Sequence, residues 1–140
     1  MIELGQPTAV DVVYDLGCGD GRVVIEAVRR SGARGVCVDL DPQLVRRARA
    51  NAEAAGVADR IGFRVEDLFV TEIGDASLVM LFLWPEINLR LLPRLLKELR
   101  PGTRIVSNMH DMGSFAPERT LQVGWLGKRP HHVYLWRVPP

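Results

Sequence analysis

The stretch Asp15-Leu16-Gly17-Cys18-Gly19-Asp20-Gly21 constrains this chain more than any other. It closes a short apolar run rich in β-branched residues (10–16), which reads as a strand buried on both faces. Beyond it, Val23, Val24, Ala27 and Val28 form a helical stripe, with Arg29 and Arg30 in the last turn and Gly32 just past it. A glycine loop between a buried strand and a helix is where an open α/β sheet admits a ligand. The glycines allow positive φ and let that ligand approach the backbone.

The same alternation continues down the chain. Residues 34–40 read as a second strand, and Asp41 as an N-cap with Pro42 at the first helical position. Leu44, Val45, Ala48, Ala52 and Ala55 make one apolar face of that helix, and Gly56 stops it. Residues 61–65 alternate partially, as expected of a strand near a sheet edge. Residues 77–84, the most apolar run, predict a central strand. A stripe through Leu89, Leu92, Leu96 and Leu99 follows, widened by Leu91 and Leu95; Pro93 inside it predicts a kink or a restart. Residues 103–107 read as a fifth strand. No helix of good length separates it from strands at 120–126 and 133–138, joined as a hairpin through Gly127-Lys128-Arg129-Pro130. The expectation is one α/β domain over residues 1–140, its sheet mostly parallel and closed by a C-terminal antiparallel hairpin.

Composition narrows the partners. With 140 residues, 47% of them hydrophobic, a single core needs no metal or disulfide staple. Eighteen basic against 17 acidic residues give a net charge of +1, without the basic field of a dedicated nucleic-acid binder, so nucleic acid is a less favoured partner. Arg46, Arg47 and Arg49, and Lys128 with Arg129, read as solvated surface. No basic-then-apolar leader opens the chain, and no apolar run reaches the roughly 18 residues that span a bilayer. Cys18 in the loop and Cys37 in an apolar run read as free, mostly buried thiols suited to a reducing cytoplasm.

The loop's charges select its ligand. A dinucleotide fingerprint needs glycine at position 22, where Arg22 stands. Asp15 and Asp20 would repel a pyrophosphate, whereas Asp15 at a strand end suits an ammonium group. S-adenosylmethionine carries an ammonium, a sulfonium and no phosphate. Asp39 ends the second strand near the spacing at which an acid meets a ribose diol, and Asp67 after the third is placed to accept an adenine amino group. A ligand-free glycine turn and a capping role for Asp39 are the competing structural readings, although Asp41 already caps that helix.

Residues 12–41 look like the first two motifs of the class I methyltransferases. Leu81-Phe82-Leu83-Trp84-Pro85-Glu86-Ile87-Asn88, the segment 99–107 and Val133-Tyr134-Leu135-Trp136 resemble the archaeal broad-specificity protein-lysine methyltransferases, with the mitochondrial ATP-synthase c-subunit lysine methyltransferases as more distant members. The resemblance implies a Rossmann-like class I fold, S-adenosylmethionine as cofactor and a protein lysine as acceptor. By it, Asp15, Gly17, Cys18 and Gly19 line the methionine end; Asp39 and Leu40 hold ribose and adenine; and Glu66, Asp67 and Leu68 surround the adenine. Leu83 and Trp84 lie beside the transferable methyl. Members of that group usually carry a Tyr-Val-Pro-Thr-Pro segment before the first strand, where only residues 1–9 stand ahead of Val10 here; the expectation is that the true start lies further upstream, that the domain is truncated, or that closure of the site comes from elsewhere.

Methyl transfer from a sulfonium is an in-line displacement with an activated leaving group, so positioning and water exclusion carry most of the burden. A lysine acceptor must first lose a proton, and desolvation beside Leu83 and Trp84 favours the neutral amine. Asn88, His110 and Asp111 are the polar groups expected near the mouth, with His110 as a candidate proton acceptor or a plain surface histidine. The fourth-strand end lacks the Asp/Asn-Pro-Pro-Tyr/Phe motif that grips planar amino groups. His131-His132 point to opposite faces of a strand, so no metal is expected. Trp125, Tyr134 and Trp136 read as hairpin packing before a base-stacking platform. Methylation of RNA or of a small molecule, and cofactor binding without catalysis, are the alternatives the same site permits.

Overall fold

The computed structural model describes residues 1–124 and 130–140. The β-branched run before the glycine loop forms β1 (Val12–Leu16), whose residues from Val13 onward are buried on both faces. It pairs in parallel with β2 (Arg34–Asp39) on one side and β4 (Leu78–Leu81) on the other. β3 (Ile61–Val65) extends the sheet beyond β2, and β5 (Arg104–Asn108) extends it beyond β4, both in parallel. β7 (His131–Arg137) then runs antiparallel to β5, and β6 (Arg119–Val123) antiparallel to β7 at the edge. Among the described residues the order is β3-β2-β1-β4-β5-β7-β6, so strand order reverses between β1 and β4. The expected parallel sheet with a C-terminal antiparallel pair is the one observed. The turn expected at Gly127-Lys128-Arg129, the residue Trp125 and the Lys128–Arg129 patch lie outside the described residues.

Helices cover both faces. α2 (Arg22–Ser31) and α3 (Pro42–Ala54) pack on one side, where Val13, Val24, Val28, Ala48 and Met80 form the core. α2 ends as expected, with Gly32 in the left-handed region and its N–H on the Val28 carbonyl. Asp41 caps α3 by accepting the Gln43 N–H at 2.9 Å, with Pro42 in the first turn. α4 (Pro85–Glu98) covers the other face over Tyr14, Leu16, Val79, Leu81 and Ile105.

Four expectations change. β4 covers only Leu78–Leu81, because the chain leaves the sheet at Phe82 to start α4 at Pro85. α4 runs through Pro93 without a restart, and Pro93 and Leu89, whose carbonyl loses its donor, are both exposed residues. The buried face of α4 is Asn88, Leu91 and Leu95, continued by Leu99, while Leu89 and Leu96 are exposed. The segment ahead of β1 is structured: α1 (Ile2–Gly5) packs against β5 and β7 and buries Leu4.

The cysteines are the fifth correction. Cys18 and Cys37 form a disulfide, and neither is a free thiol. Their separation of 19 residues hides the pairing, because the β1-α2-β2 crossover brings the chain back beside itself. The parallel register sets Asp15 opposite Cys37, three residues before Cys18.

Candidate functional site

Ligands in such sheets bind beyond the carboxyl ends of the strands, at the point of order reversal. The glycine loop leaves β1 at that point. Its backbone is fixed from β2, with the N–H groups of Gly17 and Cys18 on the Val38 carbonyl at 2.8 and 3.0 Å. The Gly19 N–H reaches the Asp39 carboxylate at 3.0 Å. Gly17 has φ +78°, and a Cβ there would lie 2.7 Å from Leu83 Cδ2, so the position excludes any larger residue without displacing Leu83. At Gly19 (φ +57°) nothing stands within 4 Å of that direction, leaving the loop open toward the strand ends.

Beside the loop lies a cavity of about 300 Å³ lined by Gly17, Asp39, Leu40, Glu66, Asp67, Leu68, Phe69, Leu83 and Ile87. Seven of those residues are ones the sequence singles out; Phe69 and Ile87 are not, since one sits in a loop and the other in the first turn of α4. Asp39 accepts from the Gly19 N–H on one oxygen and from the Asp41 N–H on the other, which orients it and leaves a lone pair on each. Asp67 accepts the Phe69 N–H at 2.8 Å, and Glu66 the Thr71 hydroxyl at 2.7 Å.

Asp15, next to last in β1 ahead of the glycine loop, is 5% exposed and does not itself line this cavity. Burial pushes its carboxyl up to about 7, Asp39 and Asp20 add to the rise, and the Val24 backbone N–H opposes it. A buried acid flanked by two others is a poor place for a phosphate and a good one for a cation. Cys18 points away, into the core with Cys37.

A second cavity of about 310 Å³ is lined by Phe82, Leu83, Trp84, Asn108, Met109 and His110. Leu83 lines both cavities and is their common wall. Phe82 and Trp84 are exposed, and the Trp84 and His110 rings are 5.8 Å apart. Met109 holds φ +72°, a conformation that costs a non-glycine residue energy, and its N–H is anchored on the His132 carbonyl at 2.7 Å.

Asn88 does not line this mouth. It is fully buried, and its Nδ2 donates to Ser107 Oγ, the His110 carbonyl and the Asp111 carbonyl at 3.1, 3.1 and 3.3 Å. Asp111 is used locally, accepting the Gly113 N–H. Phe82, Asn108 and Met109 carry no sequence signal, because their place depends on how two strand ends meet. Tyr134 and Trp136 do not form an exposed platform: Trp136 is buried, stacks on Phe115 and donates its Nε1–H to the Phe115 carbonyl at 2.7 Å. Among the described residues no group of three or more His, Cys, Asp or Glu could hold a metal ion, and no helix is long and apolar enough to cross a membrane.

A doubly wound sheet reversing at β1 and β4, an acid at each of three successive strand ends and an apolar second cavity sharing one wall define an S-adenosylmethionine-dependent methyltransferase. Residues 15–119 match the family model described as the ANTKMT methyltransferase domain, and the chain belongs to that family. It is 37% identical over 139 residues to a protein-lysine N-methyltransferase of Saccharolobus islandicus, spanning 99% of this chain and 86% of that protein. To the adenine nucleotide translocase lysine N-methyltransferase of Mus musculus it is 33% identical over 105 residues, spanning 75% of this chain and 46% of that protein. Among solved structures, an RNA methyltransferase from Salinibacter ruber in complex with S-adenosyl-L-homocysteine superposes with a TM-score of 0.90 at 48% identity, covering 99% of this chain and 87% of that one.

Proposed function

We propose that this chain, acting as one domain over residues 1–140, transfers the methyl group of S-adenosylmethionine to the ε-amino group of a lysine in a protein substrate. The observation that carries the proposal is Leu83, the shared wall of an acid-rimmed cavity and an apolar, aromatic one. In this reading Asp15 and the backbone of Gly17, Cys18 and Gly19 face the methionine end. Asp39 takes the ribose hydroxyls, and Leu40, Glu66, Asp67 and Leu68 surround the adenine. The bound cofactor supplies an activated methyl carbon beside Leu83.

The second cavity receives the acceptor. Its apolar lining strips water from the approaching ammonium and favours the neutral amine. With the cofactor bound, its methyl carbon would be the electrophile for that neutral nitrogen and its sulfur the leaving group, keeping the carbon–sulfur electron pair. In this reading His110, which lines that cavity beside Trp84, takes the proton that the lysine ammonium sheds before attack. The names of the archaeal and mouse relatives support a lysine acceptor. We also propose a cytoplasmic location for the protein.

The Salinibacter relative favours a second acceptor, RNA. Incubation of the purified protein with methyl-labelled cofactor and separate protein and RNA extracts decides between them. Label in protein, recovered as methyl-lysine after hydrolysis, is the expected result; label confined to RNA overturns the lysine reading.

A further inference from the structure

We propose that Cys18 and Cys37 form a reversible thiol–disulfide site whose oxidation state sets the affinity of the cofactor cavity, an inference that rests on the placement of the cofactor against the Gly17–Gly19 loop. These are the two cysteines of the chain. One lies inside that loop, between glycines at φ +78° and +57°. The other is two residues before Asp39 on β2. Their Cα atoms are 5.3 Å apart, within the range that a disulfide spans. The bond therefore joins covalently the two elements that form the inner wall of the cavity.

The two ends are unequally free to move. Cys37 is fully buried in a strand bonded to β1 on one side and β3 on the other. Cys18 is 8% exposed in a loop held to β2 by three backbone N–H groups. Two unbonded sulfurs cannot approach as closely as bonded ones, because they meet at van der Waals separation. On reduction the sulfurs must part, and the glycine loop is the element that gives. That shift loosens the Gly19–Asp39 contact and the backbone surface beside it.

Closing the bond removes one hydrogen from each thiol. The two protons and two electrons pass to a small-molecule disulfide, which leaves as two thiols; a dithiol reverses the exchange. In a cytoplasmic enzyme such a bond is transient and sensing rather than a permanent staple.

The test is calorimetric titration of the full chain with S-adenosylhomocysteine, poised in reduced or in oxidised glutathione. Intact mass reports the loss of two hydrogens. The oxidised protein is expected to bind about tenfold more tightly, and saturating S-adenosylhomocysteine to shift the thiol–disulfide equilibrium toward the disulfide by the same factor. Cys37→Ala and Cys37→Ser are expected to bind alike in both buffers, at the affinity of the reduced protein. Equal affinities for a wild-type pair seen by mass to cycle, or a pair that stays reduced in oxidised glutathione, overturn the proposal. Asp39→Ala serves as the separate control: if it leaves affinity unchanged, the placement of the cofactor fails, whereas if it weakens binding and redox state does not, the switch alone fails.

Discussion

The Asn88 amide donates to the main-chain carbonyl of His110 at 3.1 Å, tying the first turn of α4 to the loop that follows β5. The same nitrogen reaches the Asp111 carbonyl, and Ser107 Oγ donates to the His110 carbonyl at 2.6 Å. Three polar contacts thus hold one side of the proposed acceptor mouth, and none of them faces it. Asn88→Ala is expected to lower unfolding free energy by about 2 kcal/mol, since it removes a buried amide together with its bonds to Ser107, His110 and Asp111. Activity should fall mainly through a raised KM for the acceptor, with S-adenosylhomocysteine affinity unchanged by calorimetry. Urea denaturation and steady-state kinetics on one preparation check both parts.

Gly17 and Gly19 allow strain and crowding to be separated. Both adopt positive φ, but only at Gly17 would a Cβ strike Leu83. Gly17→Ala is expected to cost about 2 kcal/mol and to reduce turnover at least tenfold, because Leu83 divides the two cavities. Gly19→Ala carries the backbone strain alone, about 1 kcal/mol, and its loss should appear in cofactor affinity before turnover. Parallel thermal melts and kinetics distinguish the pair.

With the cofactor's ammonium beside Asp15, as proposed, cofactor binding is expected to depend on pH. Burial holds its carboxyl up to about 7 in the free protein. A neighbouring ammonium favours the ionised form, so binding lowers the pKa and releases a proton. Affinity therefore rises with pH up to about 7, by at most about tenfold per unit, and levels off above it. Asp15→Asn should flatten the profile, read by calorimetry below the titration of the ligand's own amino group at about 7.7. The free protein shows the opposite trend from the same group. Its folded pKa lies above the ordinary 3.8, so it loses stability as pH rises from there toward about 7.

Asp11 gives an acid-sensitive contribution at the other end of the sheet. Burial alone would raise its carboxyl, but the Ser77 hydroxyl, the Thr8 N–H and Arg104, 2.8 Å away, overcome that and hold it below 3.8. Its stabilisation is present above 3.8 and lost as pH falls through the depressed folded value. Asp11→Asn is expected to cost about 2 kcal/mol at neutral pH, with the difference from wild type shrinking below about pH 4. Urea midpoints measured across that range test it.

Features settled within a few residues were legible from the sequence. Asp41 and Pro42 start α3, Gly32 ends α2, and β-branched residues before a glycine loop make β1, because caps, φ preferences and side-chain periodicity act locally. The positions of Asp15, Asp39 and Asp67 near the ends of β1, β2 and β3 were equally readable, since each strand is recognisable by itself.

Local pattern failed where two faces competed or distant segments met. The leucines of α4 offer two overlapping stripes, and only packing against Tyr14, Leu81 and Ile105 selects Leu91 and Leu95. Asn88 reads as a polar group for the mouth, yet its burial turns it into a clamp on His110.

By itself the sequence determined the order of strands and helices, the glycine loop after β1 and the charge that suits S-adenosylmethionine. Only the tertiary structure decided that Cys18 meets Cys37, that Met109 is held at positive φ and that Leu83 stands between two cavities. Each of these is a contact between segments separated by a whole crossover, and no local preference encodes such a distance.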